Sequence, residues 1–223
     1  MEHQFKGAVF DLDGTLLDTS EGIKSAVRYA IDRFGLEPLG DERLNSFIGP
    51  PIQNSFAAAY GLTGQKLREL TEVFRDRYKT CDLLKAKPYE GIFDVFRSLA
   101  ENGIKPAIAT YKRQDYASEI LIHFGFDKYT DIMYGADSEN KLKKKDIIEK
   151  ALIDMGIRNY ADTVMIGDTD NDAIGAAEIG TKFIGVTYGF GFKNAQDVSK
   201  FPNIGAAGST RELTKILIGG NLT

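Results

Sequence analysis

Apolar positions fall into two regimes, short unbroken runs and stretches that repeat at helical spacing. Phe5 to Phe10 is a strand-like run closed by Asp11-Leu12-Asp13-Gly14-Thr15. Ile23, Val27, Ile31 and Phe34 then recur on one helix face, with Asp18 and Glu21 spaced as a capping box and Gly35 as the stop. The pattern stays helical to about residue 85. Asp41 to Phe47 and Ile52 to Tyr60 flank the break Gly49-Pro50-Pro51, and Gln65 to Thr80 is a longer amphipathic stretch. Residues 17–85 are therefore read as a helical insertion.

Beyond it the regimes alternate. Ile104 to Thr110, Asp131 to Gly135, Thr163 to Gly167 and Thr181 to Val186 read as strands. Ile92 to Ala100, Gln114 to Phe124, Lys144 to Met155, Asp172 to Glu178 and Thr210 to Ile218 read as helices. Strands and helices in alternation, joined by short loops, predict an α/β fold: a Rossmann-like, three-layer core with a parallel sheet. That core takes residues 1–16 and 86–223. No internal repeat interrupts it.

Composition narrows the chemistry. Of 223 residues, 43% are hydrophobic and 27% charged, which suits a globular protein, and the net charge of −4 leaves no basic footprint for nucleic acid or anionic membrane. No apolar run approaches the roughly 20 residues that span a bilayer. Met1 to Lys6 leads into the first strand without a signal-peptide core, so a cytoplasmic protein is expected. Cys81 is the single cysteine, which excludes an internal disulfide and a multi-cysteine metal site. The two histidines, His3 and His123, are too few for a His-rich zinc centre. Oxygen ligands remain.

Parallel α/β sheets place their sites beyond the carboxyl ends of the strands. There the first strand ends in Asp11 and Asp13, the second in Thr110, and the fourth in Asp168 followed by Asp170 and Asp172. A run of lysines (Lys141, Lys143, Lys144, Lys145) opens the helix that leads into the fourth strand. Clustered carboxylates need compensation to stay ionised, and an oxygen-rich site of this kind suits Mg²⁺. With Asp13 protonated, Mg²⁺ and one lysine would balance Asp11, Asp168 and Asp172. A calcium-loop reading of Asp168 to Asp172 fails, because Ala173 and Ile179 stand where such a loop needs glycine and glutamate.

Phe10-Asp11-Leu12-Asp13-Gly14-Thr15-Leu16 resembles the first signature of the haloacid dehalogenase-like superfamily of phosphohydrolases. Thr110 after Ala107-Ile108-Ala109 resembles the second, a lysine near 144 the third, and Ile166-Gly167-Asp168-Thr169-Asp170-Asn171-Asp172 the fourth. The resemblance implies a helical cap domain in the insertion. It implies Asp11 as the nucleophile that takes the phosphoryl group and Asp13 as general acid, then base. Asp11, Asp168 and the main-chain carbonyl of Asp13 would hold Mg²⁺, with Asp172 steering from behind. Thr110 and a lysine would grip the phosphate. Helix alignment favours Lys144, with Lys143 next. Gly14, Thr15, Tyr111 and Gly49 are further candidate substrate-binding positions, Gly49 through the stiff Gly-Pro-Pro turn.

Within the superfamily the likeness is to phosphoglycolate phosphatases, carried by Phe47 to Pro51 and by Thr110 through Gly125. The implied function is hydrolysis of a small phosphorylated metabolite by a monomer or homodimer, with hinges near residues 15–18 and 82–90. A phosphomutase, nucleotidase or pyrophosphatase on the same scaffold, or a silent phosphate-binding module, are the alternatives. Arg43 or Lys112 could meet a substrate carboxylate.

Overall fold

All of β1 (Gly7–Phe10) is buried, so both faces of the strand must be covered, as in a central strand of a parallel sheet. The structure is a computed structural model describing residues 5–138 and 141–219; His3 and the rest of residues 1–4 lie outside it. After β1 come β2 (Leu17–Asp18), α1 (Ser20–Arg33), α2 (Asp41–Asn45), α3 (Ile52–Tyr60), α4 (Gly64–Arg77) and β3 (Lys87–Pro88). Then follow α5 (Ile92–Glu101), β4 (Lys105–Arg113), α6 (Gln114–His123), β5 (Met133–Ala136), α7 (Lys144–Asp154) and β6 (Thr163–Gly167). The chain continues through α8 (Asp170–Ile179), β7 (Lys182–Val186), α9 (Ala195–Val198), β8 (Gly205–Ala207) and α10 (Thr210–Ile218). Two compact units result, one of residues 1–17 and 88–223 and one of residues 18–87.

The larger unit holds a six-stranded sheet in the order β5-β4-β1-β6-β7-β8, with every described pairing parallel. Strand order reverses at β1, which lies between β4 and β6. Open α/β sheets form their ligand crevice at such a reversal, outside the carboxyl ends of the strands. Side chains alternate across β1. Val9 joins the core of Ile147, Ile148, Ala151, Leu152 and Ala173 under α7 and α8. Phe10 faces the other way and stacks on Phe96 of α5 at 5.0 Å between ring centroids. Both layers predicted for this α/β core are present.

Four local readings change. Asp18 does not cap α1: the helix starts at Ser20, and Asp18 Oδ1 accepts instead from the Ser20 amide and hydroxyl at 3.1 and 2.6 Å. A short acceptor one residue early thus serves a turn, and the predicted box with Glu21 does not form. Strand β4 runs on to Arg113, three residues past Thr110, through an irregular register against β5. Helix α8 begins at Asp170 instead of Asp172. Strand β8 was not legible, because Gly205-Ala206-Ala207 has no side chain large enough to show a period.

The unit of residues 18–87 is helical. Its core runs through Phe47, Phe56, Phe74 and Tyr78, with successive ring centroids 5.2, 6.1 and 5.5 Å apart. Buried Asp82 ties the end of the unit to its first helix. It is held by Arg77 Nε at 2.8 Å, Lys85 Nζ at 2.7 Å and the Ser25 hydroxyl at 3.1 Å. No described helix is long and apolar enough to cross a membrane.

Candidate active site

The two strands beside the reversal, and β1 itself, each deliver polar residues to one place. Asp11 follows β1 and stays in the sheet's register through its amide, which donates to the Ile166 carbonyl at 2.9 Å. Asp168 follows β6, and Lys144 is the first residue of α7. One carboxylate oxygen each from Asp11, Asp168 and Asp172 lies within 4.8 Å of the others. All three residues are buried.

Lys144 sits among them. Its Nζ is 2.6 Å from Asp11 Oδ1 and 2.6 Å from Asp172 Oδ1, and its side chain is only 4% exposed. Burial alone would push the ammonium toward its neutral form, but Asp11 and Asp172 outweigh it and raise its pKa. Tyr111 fixes the start of α7, its hydroxyl accepting the Lys144 amide at 2.8 Å. Of the two lysines that the sequence leaves open, Lys144 is the one placed among the carboxylates. The Lys143 amide donates to Asp146 at 2.8 Å, and Lys143 is exposed.

Asp168 is set by a loop. Its Oδ2 accepts the amides of Phe190 and Gly191 at 2.7 and 3.0 Å, whereas buried Oδ1 has no hydrogen-bond partner. Three glycines make room. A Cβ on Gly14 (φ +84°) or Gly189 would overlap Asp168 Oδ2, and one on Gly191 would overlap the Asp168 carbonyl. Gly14 thus opens space for a carboxylate. Asp172 is oriented from the other side, its Oδ2 accepting the Thr169 amide and hydroxyl at 3.1 and 2.7 Å.

Burial is the main reason that Asp11 is pushed up to about 7 and Asp168 to about 8; the neighbouring carboxylates add to it, Lys144 opposes it at Asp11, and the two loop amides oppose it at Asp168. A buried carboxylate with one oxygen pinned and the other unpartnered fits a hard divalent cation. Charge agrees with this. Four carboxylates (Asp11, Asp13, Asp168, Asp172) face two ammonium groups, Lys112 and Lys144, so one such cation would bring the set to neutrality. The sequence-based balance had one lysine and a protonated Asp13; the structure adds a second lysine.

That lysine is Lys112. Its Nζ lies 2.9 and 3.2 Å from the two oxygens of Asp13, and both side chains are under a tenth exposed. From sequence Lys112 is expected only as a partner for a substrate carboxylate, because the strand pattern ends at Thr110. Thr110 is buried, and its Oγ1 accepts the Lys112 amide at 3.1 Å, which leaves its own proton to donate. Thr15 is buried with an unpartnered Oγ1, and its carbonyl accepts from the Tyr188 hydroxyl at 3.1 Å. The loop from Tyr188 to Gly191 has its signal in the Gly-Phe-Gly string, which begins three residues after a parallel strand ends at Val186. Gly49 falls in the unit of residues 18–87, where its φ of +99° makes the turn between α2 and α3.

A family model described as haloacid dehalogenase-like hydrolase matches residues 8–186. A 5'-nucleotidase of Pseudomonas aeruginosa is 34% identical over 188 residues, spanning 84% of this chain and 85% of that protein. A phosphoglycolate phosphatase of Agrobacterium fabrum is 30% identical over 194 residues, spanning 82% and 81%. The crystal structure of a predicted phosphatase from Clostridium acetobutylicum superimposes with a TM-score of 0.89 at 33% identity, covering 97% of this chain and 99% of that one.

Proposed function

Since the chain belongs to the haloacid dehalogenase-like hydrolases, we propose that it is a phosphatase that hydrolyses a small phosphomonoester through a phosphorylated Asp11, with Mg²⁺ as cofactor. The observation that carries this reading is the buried carboxylate trio around Lys144 at the carboxyl end of the reversal strand. Phosphoryl transfer asks a protein chiefly for positioning and charge neutralisation, and this site offers both.

Asp11, Asp168 through its unpartnered Oδ1, and the main-chain carbonyl of Asp13 would hold the cation. When bound, Mg²⁺ supplies the positive charge that lets a phosphate dianion approach the carboxylates. Asp172 keeps Lys144 in place from behind, and Lys144 with the Thr110 hydroxyl receives the equatorial phosphate oxygens.

In the first step Asp13 acts in its acid form, having taken up a proton before the ester enters: an Asp11 carboxylate oxygen bonds to phosphorus as the ester P–O bond breaks, and Asp13 gives that proton to the departing oxygen. In the second, Asp13 takes a proton from water. The water oxygen bonds to phosphorus, the bond to Asp11 breaks, and inorganic phosphate leaves with Asp11 again a carboxylate and Asp13 again protonated.

Relatives named for phosphoglycolate and for nucleotides support a small phosphorylated metabolite as substrate class. The test is release of inorganic phosphate across a panel of phosphorylated metabolites, with EDTA and Mg²⁺ arms. Turnover in Mg²⁺ that stops in EDTA supports the reading. Isomerised sugar phosphate without free phosphate would replace it with a mutase.

A further inference from the structure

We propose that Lys112 is a positioning residue that aims the Asp13 carboxyl group at the ester's leaving oxygen. The inference rests on the reading of Asp13 as acid and base given above. A single amine reaching both oxygens of one carboxylate, at 2.9 and 3.2 Å, restrains rotation of that carboxylate about its own bond. The pair is buried, so it is screened little by solvent, and removing one partner leaves the other charge unsatisfied.

The backbone beneath Lys112 is held as firmly as its tip. Its amide is fixed to Thr110 Oγ1 at 3.1 Å. On β5, Gly135 packs so closely that a Cβ there would overlap the Lys112 carbonyl and the Gln114 backbone. Gln114 Oε1 takes the Gly135 amide at 2.7 Å and locks the two strands where their register shifts. Register irregularities re-aim side chains, and this one lies at the end of the sheet that carries Asp11 and Asp168. Strand β4 therefore contributes Thr110 toward the phosphate and, two residues on, Lys112 toward Asp13.

A general acid matters in proportion to the basicity of the oxygen it protonates. A 4-nitrophenolate departs with little help, whereas an alkoxide needs the proton. Loss of aim at Asp13 should therefore be read in the leaving-group dependence of kcat/KM, which covers the steps through release of the alcohol. The measurement compares 4-nitrophenyl phosphate, phenyl phosphate and glycerol 2-phosphate. The proteins are the parent, Lys112→Met, Lys112→Arg, Asp13→Asn and the double variant Asp13→Asn/Lys112→Met.

Lys112→Met should lose about tenfold more on glycerol 2-phosphate than on 4-nitrophenyl phosphate, and Lys112→Arg should recover most of that difference. The double variant should lose no more than Asp13→Asn alone, because the lysine acts through that carboxylate. A loss from Lys112→Met that is equal for all esters, or that multiplies with Asp13→Asn, overturns the role of Lys112 while leaving Asp13 in place. An Asp13→Asn variant without leaving-group dependence overturns the acid assignment itself. If Lys112→Met does not fold, Lys112→Gln carries the same comparison.

Discussion

Lys144 Nζ lies 2.6 Å from Asp11 Oδ1, joining the first residue of α7 to the residue that closes β1, 133 positions apart. One buried cation thereby neutralises part of a carboxylate cluster, and the proposed function has it receive the phosphate. Lys144→Ala should lower kcat/KM for 4-nitrophenyl phosphate by about 10²-fold or more. Exposed Lys143→Ala should stay within about twofold. Steady-state kinetics of the two variants decide it; equal losses would contradict the placement of the phosphate-binding lysine.

The loop after β7 should govern cation affinity. Gly189→Ala puts a methyl group into Asp168 Oδ2 and the Gly14 carbonyl, displacing the carboxylate that the Phe190 and Gly191 amides aim. Groups that orient a metal ligand typically weigh 10- to 100-fold in affinity, so the Mg²⁺ concentration for half-maximal activity should rise by about tenfold or more. Titration calorimetry with Mg²⁺ gives the same comparison without substrate. Unchanged affinity would remove Asp168 from the ligand set.

Stability of the metal-free protein should fall as pH rises. Asp11 and Asp168 keep their protons up to about 7 and about 8 in the folded chain, against the ordinary aspartate value of 3.8. Between about pH 4 and 8 the unfolded chain binds fewer protons at these groups, so stability declines with increasing pH. Asp82 and Asp197, whose pKa values are lowered, act in the opposite sense only below that window. In EDTA the thermal midpoint should drop by about 3 °C or more from pH 5 to pH 8. Added Mg²⁺ should restore more at pH 8, where the ligands are ionised. A midpoint in EDTA that rises over this range would contradict the burial of these carboxylates.

Sequence pattern carried the fold far because β1, β6 and β7 are buried nearly throughout and read as unbroken apolar runs, and because Gly35, Gly103, Gly125 and Gly180 mark helix ends with positive φ. Asp11 and Asp168 were legible because each directly follows such a run. What stayed hidden depends on distance in sequence. Lys112 finds Asp13 across 99 positions. Its signal was lost when an irregular register let β4 continue past Thr110. The glycines around Asp168 act by what they leave out, and a missing Cβ has no period. Asp18 was misread for the opposite reason: a good capping residue one position early satisfies Ser20 without starting the helix.

The central claim is that Asp11 carries the phosphoryl group, and trapping tests it most directly. Enzyme quenched in acid during turnover of a phosphomonoester with Mg²⁺, then reduced with borohydride, converts an aspartyl-phosphate to homoserine, which peptide mass spectrometry locates. The account predicts homoserine at position 11, only while substrate is present and not in Asp11→Asn. Sustained turnover with aspartate intact at position 11, or with the mark on another carboxylate, would contradict it.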